Sequence, residues 1–180
     1  MKVYTRQGDD GTTGLLFGGR VPKDSALPRA YGAVDEAQAA LGMVRAESDP
    51  ESELGQLVVR LAGELWVLMA ELATDPANHG KLQPGVSLVT GEMVDRLETD
   101  IDHISTLFEA PTEFVVPGQT RIGALLDMAR TVVRRAERVA IGAAGEGSHV
   151  VPYLNRLSDL LWTMARWQDG EVVTSRSVIT

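Results

Sequence analysis

Arg130-Thr-Val-Val-Arg134-Arg135-Ala-Glu137-Arg138 lies inside a segment, Arg121 to Ala144, whose apolar residues recur at three- and four-residue steps. Ile122, Leu125, Leu126, Ala129, Val132, Val133, Ala136 and Val139 make one stripe, the pattern of an amphipathic helix with a buried face. Beside that stripe Arg130, Arg134 and Arg138 stand at i, i+4 and i+8 and share one flank. Like charges four apart on a helix repel by about 0.2–0.5 kcal/mol per pair. The segment carries five Arg against only Asp127 and Glu137, in a chain whose net charge is -8. It therefore reads in two ways. Either the flank is a solvated face, with Asp127 and Glu137 as i±3 partners for Arg130 and Arg134, or it is turned towards an anion.

Four more helical patterns surround it. Ala26 to Glu47 follows an N-cap at Asp24 or Ser25 and presents a core face of small residues, Ala30, Ala33, Val34, Ala37, Leu41 and Val44. Asp49-Pro50-Glu51 is a helix-start signal, with a cap followed by Pro in the first turn. The leucines from Leu54 to Leu72 supply the seam of that second helix. Gly91 to Phe108 steps 3, 4, 3, 4 through Val94, Leu97, Ile101, Ile104 and Phe108. The last helix begins near Pro152 and ends near Asp169-Gly170, with Asn155, Asp159, Trp162 and Arg166 on its polar flank. Thr74 to Ser87 and Glu109 to Gly118 carry the Pro and Gly of loops, and Glu171 to Thr180 reads as a tail or terminal strand. The expected fold is all-α, a five-helix antiparallel bundle over 25–170, preceded by a glycine-rich loop over 1–24 and followed by a tail over 171–180. The whole chain reads as one domain.

Composition narrows the function. There is no cysteine, hence no disulfide framework, thiolate nucleophile or Cys-bound metal. An isoelectric point near 4.9 argues against a nucleic-acid partner. No apolar run reaches the ~20 residues of a membrane span and no signal peptide opens the chain, which fits a cytoplasmic protein. His79, His103 and His149 are scattered, with no metal-ligand spacing.

Several residues remain to be explained. Gly8, Gly11, Gly14, Gly18 and Gly19 lie within twelve residues and predict a flexible loop; consecutive amides in such a loop can cradle phosphates, and Lys23 can neutralise them. The loop is not a P-loop, because Arg20-Val21 stands where Lys-Ser or Lys-Thr belongs. Asp35 reads as an exposed acid or as the partner of an arginine on another helix or subunit, and Glu36 as an exposed acid. Phe114, in a Pro-bounded loop, reads from spacing as an anchor packed on the core.

Six segments resemble the PduO-type ATP:cob(I)alamin adenosyltransferases, in order along most of the chain. They are Thr5-Arg-Gln-Gly8-Asp-Asp-Gly11-Thr-Thr-Gly14-Leu, Gly19-Arg-Val-Pro-Lys23-Asp, Tyr31-Gly-Ala-Val-Asp35-Glu, Phe114-Val-Val-Pro-Gly118, the arginine stretch and Tyr153-Leu-Asn155-Arg-Leu-Ser-Asp159. Ala37-Gln38 departs from the family's Leu-Asn, and Gln119 from a second glycine. The resemblance implies a homotrimer with active sites between subunits. There cob(I)alamin attacks the 5′ carbon of ATP, giving adenosylcobalamin and triphosphate, with Mg2+ held mainly through the ATP. Thr5, Arg6, Gln7, Gly8, Thr13, Gly14 and Lys23 would wrap the phosphates. Arg134, Arg135, Glu137 and Arg138 would meet ATP from the helix, and Asn155 would lie near the nucleoside. Asp35 and Arg130 would pair across the subunit boundary beside the corrinoid, and Phe114 would press on its lower face. A cob(II)alamin reductase and an adenosylcobalamin-dependent enzyme are the further partners implied. Two other readings are a non-catalytic adenosylcobalamin carrier, which need not keep an ATP site, and a helical ATP hydrolase, for which no residue is placed to activate water.

Overall fold

A computed structural model describes residues 3–171 and 173–179. Met1 and Lys2 of the expected loop, and Val172 and Thr180 of the expected tail, lie outside the described residues. The chain is mostly helical. Its long helices are α1 (Ala26–Glu47), α2 (Glu53–Leu72), α3 (Gly91–Ser105), α4 (Arg121–Ala140) and α5 (Val150–Asp169). A short α6 (Ser175–Ile179), a 3-10 turn at Pro76–Lys81 and two strands, β1 (Thr12–Gly14) and β2 (Arg20–Pro22), complete it.

The apolar stripes meet in one core. Leu61, Leu65 and Leu68 of α2, Leu97 and Ile104 of α3, Leu126 and Val133 of α4, and Leu154, Leu157 and Leu161 of α5 are buried. Each buried Leu or Ile contributes about 1.5–3 kcal/mol. The small face of α1 lies at the centre, with Ala30, Val34 and Ala37 inaccessible to solvent.

Polar pairs report the helix directions. Across α1 and α4, Glu47 pairs with Arg121 and Glu36 with Arg135, so these helices are antiparallel. Across α2 and α3, Glu53 meets His103 and Glu64 meets Arg96. Across α4 and α5, Asn155 bonds Glu137 and Arg166 bonds Asp127. Gln38 Nε2 donates to Ala62 O at 2.7 Å, tying α1 to its antiparallel neighbour α2. The helices thus close in the order α1, α2, α3, α5, α4. A ring of five cannot alternate throughout, and here the parallel neighbours are α3 and α5.

Several boundaries differ from the sequence reading because caps, not periodicity, end helices. Helix α2 starts after Ser52, whose Oγ accepts from Gly55 N at 3.0 Å; Asp49 instead accepts from Glu51 N and shapes the turn before it. Helix α3 stops at Ser105, where Thr106 Oγ1 donates to His103 O. Helix α4 stops at Ala140 rather than Ala144 because the chain turns at Gly142, with Ala143 N donating to Ala140 O. The tail is not a strand: one bridge pairs Val115 with Thr174 and α6 follows.

Residues 12–22 are also not the irregular loop that their glycines suggest. Thr12, Thr13 and Gly14 pair antiparallel with Pro22, Val21 and Arg20. The turn between the strands needs φ of 100° at Gly18 and 92° at Gly19, which side-chain-bearing residues adopt only at a cost. Strands of three residues are too short for alternation to reveal them.

At the opposite end of the bundle, Thr120 Oγ1 caps α4 by accepting from Gly123 N at 2.9 Å. A Cβ on Gly123 would overlap Asp169 Oδ1. Gly123→Ala should therefore lower stability by about 2–3 kcal/mol, as core overpacking does, and the midpoint by several degrees on thermal melting.

Candidate active site

The N-terminal hairpin is built around its own backbone. Asp10 Oδ1 accepts from Thr12 N at 2.9 Å and from Thr12 Oγ1 at 2.8 Å, and these bonds hold the Asp10 carboxyl below its ordinary pKa. Arg20 Nη2 donates to Gln7 O at 2.5 Å and to Thr12 Oγ1 at 2.6 Å, clamping residues 7–12 onto β2. The backbone N–H of Lys23 donates to Gly11 O, and its ammonium passes so near Gly8 that a Cβ there would lie 2.9 Å from Nζ. Arg6, at φ 61°, turns the chain just before this point. The result is a solvent-exposed, internally hydrogen-bonded turn with Lys23 on its rim. Arg20 was not singled out from sequence, because its partners, Gln7, Asp10 and Thr12, lie in the loop itself and no periodicity marks them. The hairpin tip is docked, not free: Leu16 N donates to Ala73 O at 2.8 Å, just beyond α2, and Lys81 Nζ stands 5.9 Å from the Phe17 ring centroid.

The same end of the bundle carries the C-terminal half of α4 and the start of α5. There the arginine stretch divides. Arg135 pairs with Glu36 of α1. Glu137 does not pair with Arg134; its Oε1 accepts from Asn155 Nδ2 at 3.0 Å, while Arg156 Nη1 donates to Asn155 Oδ1 at 2.7 Å. Arg134 and Arg138 are exposed, and among the described residues neither has a hydrogen bond or an ion pair. Two adjacent uncompensated guanidinium groups, beside an ordered carboxylate–amide pair, suit a polyanion with a polar head group.

At the other end of the α4–α5 seam lies a cavity of about 540 Å3, lined by Phe114, Val115, Pro117, Arg130, Trp162 and Arg166 among others. Phe114 is not an anchor packed on the core: it is 87% exposed at the cavity mouth. Its loop is held through the backbone instead, with Ser175 N donating to Phe114 O at 2.8 Å and Val116 N to Val173 O at 2.9 Å. Arg176 Nη1 lies 3.1 Å from Glu113 beside it. Arg130 keeps the i−3 partner expected of it, with Nε 3.2 Å from Asp127 Oδ1. Arg166 is not on an open polar flank. It is buried between Asp127 at 2.5 Å and Asp169 at 2.9 Å, and its Nε is the buried side-chain atom left without a partner among the described residues.

The seam thus brings together Arg130, Arg134, Glu137, Arg138, Asn155 and the Phe114 cavity. It does not bring in Asp35, which is exposed on α1 and pairs with no arginine among the described residues. Nor does any hydrogen bond or ion pair among them join residues 3–24 to α4 or α5. No group of three or more His, Asp or Glu among the described residues could hold a metal ion, and no helix there is long and apolar enough to cross a membrane.

Comparison with known proteins agrees on one kind of relative. A family model described as cobalamin adenosyltransferase matches residues 3–168. A corrinoid adenosyltransferase of Mycobacterium tuberculosis is 41% identical over 179 residues, covering 96% of this chain and 92% of that protein. The corrinoid adenosyltransferase PduO of Salmonella typhimurium is 35% identical over 174 residues, covering 95% of this chain and 51% of the relative. Among solved structures, a variant PduO-type ATP:corrinoid adenosyltransferase from Lactobacillus reuteri, complexed with cobalamin and ATP, superposes with a TM-score of 0.86 at 27% identity, over 97% of this chain and 99% of that one.

Proposed function

Because the chain belongs to the cobalamin adenosyltransferase family, we propose that it transfers the 5′-deoxyadenosyl group of ATP to the cobalt of cob(I)alamin, releasing triphosphate. The observation that carries this reading is the α4–α5 seam. It has an unpaired Arg134–Arg138 couple at one end and the Phe114 cavity at the other. On this reading a polyphosphate and a large flat ligand take the two ends of one helix–helix seam.

The chemistry needs little from side chains beyond placement. Co(I) is the nucleophile, so a protein nucleophile and base are unnecessary. The cobalt–carbon bond forms with the electron pair of Co(I) as the bond from C5′ to the triphosphate oxygen breaks, and the C5′–O bonding pair leaves on the triphosphate. Holding C5′ in line with cobalt lowers the barrier by roughly 7–11 kcal/mol. Arg134 and Arg138 meet the charge that develops on the leaving group. Thr5, Arg6, Gln7, Gly8, Thr13, Gly14 and Lys23 wrap the phosphate chain, and Glu137 and Asn155 receive the nucleoside. Arg135, held by Glu36, lends longer-range positive potential. Phe114, standing clear of the core, lies against the lower face of the corrinoid and keeps the lower ligand off cobalt.

That no hydrogen bond or ion pair among the described residues joins the hairpin to α4 supports an active site completed by a second copy. In that arrangement the hairpin of one protomer covers the seam of its neighbour, and Asp35 reaches the neighbour's Arg130. We read the assembly as a homotrimer, with the long helices of each protomer as the family's five-helix bundle and the whole chain as one adenosyltransferase domain. Mg2+ fits as an ion carried by the nucleotide, since the described residues build no carboxylate cage of their own. We read the reaction as cytoplasmic, with a cob(II)alamin reductase upstream and an adenosylcobalamin-dependent enzyme downstream.

The deciding assay mixes the protein with ATP, Mg2+ and chemically reduced cobalamin, then follows the corrinoid spectrum and phosphate products. Adenosylcobalamin and triphosphate in equal amounts are expected; diphosphate, or no adenosylcobalamin, would sink the reading. Within it, Gly8→Ala should raise KM for ATP by about tenfold, because the new methyl displaces the Lys23 ammonium and one charge-assisted contact is worth roughly 1.5–3 kcal/mol. An unchanged KM would remove Lys23 from the phosphate site.

A further inference from the structure

We propose that Asp127 is a positioning residue of the corrinoid pocket: it tethers Arg130 by Nε so that the terminal guanidinium nitrogens face outward. This rests on the function proposed above and assigns a role to a residue that the family resemblance leaves without one.

The geometry is specific. The Asp127 side chain is 6% exposed, and a carboxylate so buried must be paired. Each of its oxygens has one arginine. Oδ2 accepts from Arg166 Nη2 at 2.5 Å, and Oδ1 accepts from Arg130 Nε at 3.2 Å. Arg166, itself 2% exposed, cannot swing away, because Asp169 Oδ2 holds it at 2.9 Å from the other side. Asp169 is fixed in turn, its Oδ1 accepting from Thr120 N and Oγ1 at 3.0 Å each. The chain of contacts therefore runs from a helix cap to the cavity wall through buried groups.

Arg130 is the one member that reaches out. Its side chain is 27% exposed and lines the Phe114 cavity, and only Nε is engaged. Among the described residues its two terminal nitrogens have no partner. A guanidinium gripped at Nε cannot rotate about its long axis without breaking that bond, so the free pair keeps one direction. The two arginines and two aspartates of the cluster balance in charge. The outward nitrogens thus suit a single added carboxylate or neutral amide carbonyls better than a polyphosphate.

The test compares two buried carboxylates that share Arg166 and differ in what else they hold. Asp127→Asn and Asp169→Asn each remove one charged partner of Arg166, but only the first touches Arg130. Dissociation constants are measured by absorbance titration with cob(II)alamin in the presence of ATP, and separately with ATP alone. Asp127→Asn should weaken cob(II)alamin binding by about tenfold, the scale of one charge-assisted hydrogen bond, and leave ATP binding unchanged. Asp169→Asn should lower the melting temperature, weaken cob(II)alamin binding by clearly less than Asp127→Asn does, and leave ATP binding unchanged. Equal effects of the two variants on cob(II)alamin, or an ATP constant that moves in step, would overturn the proposal. If Asp127→Asn does not fold, Asp127→Glu keeps the charge and shifts it by one methylene. The same weakening is then expected, and wild-type affinity would overturn the idea. A wild-type protein that binds cob(II)alamin but makes no adenosylcobalamin would refute the transferase reading and still let the comparison decide. A wild type that binds no corrinoid would refute both.

Discussion

Arg134→Ala should lower kcat/KM for ATP by about 100-fold or more, the loss seen when one preorganised donor to a developing negative charge is deleted. Arg134 is exposed and has no internal partner among the described residues, so its truncation leaves no group unsatisfied. The fold should hold. Stability should stay within about 0.5 kcal/mol, or rise slightly, because both i, i+4 repulsions along α4, with Arg130 and with Arg138, disappear. Arg134→Lys keeps the charge and loses the planar fork, so it should fall between wild type and alanine. The check is a steady-state assay paired with a thermal melt. Activity near wild type in Arg134→Ala would move the triphosphate elsewhere; a large drop in melting temperature would mean that Arg134 is structural after all.

Phe114→Ala should separate the two substrates. With cob(II)alamin and a reductant, turnover should fall by about 100-fold, since the corrinoid is then held with its lower ligand in place and out of register for reduction. The ATP dissociation constant should not change, because Phe114 stands at the far end of the seam from Arg138 and Asn155. With cob(I)alamin made chemically beforehand the defect should be smaller, as the step that Phe114 assists has been bypassed. Little stability should be lost, given that the ring is 87% exposed. Equal turnover by wild type and variant with cob(II)alamin would remove Phe114 from the lower face.

Much of the fold was legible because long amphipathic stripes leave few alternatives. The leucine seam of α2 and the 3, 4, 3, 4 steps of α3 face the core as read, although Leu57, Ile101 and Phe108 are only partly buried against it and Phe108 lies beyond the end of α3. What was not legible was local or long-range. Asp49-Pro50 resembles a helix start, but Ser52 provides the cap, and a hydroxyl three residues on is indistinguishable by pattern. Two three-residue strands carry too little alternation to be seen among glycines.

The site divides in the same way. The excess of arginine on α4 could be counted, so an unbalanced flank was visible. Its partners could not all be assigned. Asp127 serves Arg130 as an i−3 neighbour should, yet Glu137 turns to Asn155 on the next helix, and Arg135 finds Glu36 on the first. Arg166 looks like a flank residue on a helical wheel. Its burial depends on two aspartates, Asp127 39 residues earlier and Asp169 three later, converging on one guanidinium. Residue roles towards ATP and the corrinoid came from the family resemblance, not from spacing.

The backbone pairing of the Phe114 loop with residues 173–175 changes how a shortened gene product should be read. The family match ends at residue 168, so a stop codon after Gly170 would look harmless against the family model. It would nevertheless delete the Val173 carbonyl and the Ser175 amide that hold Val116 and Phe114 in place. Such an allele would keep every residue that the family model matches, yet in its chemistry it should resemble a lesion at Phe114, more than fifty positions upstream.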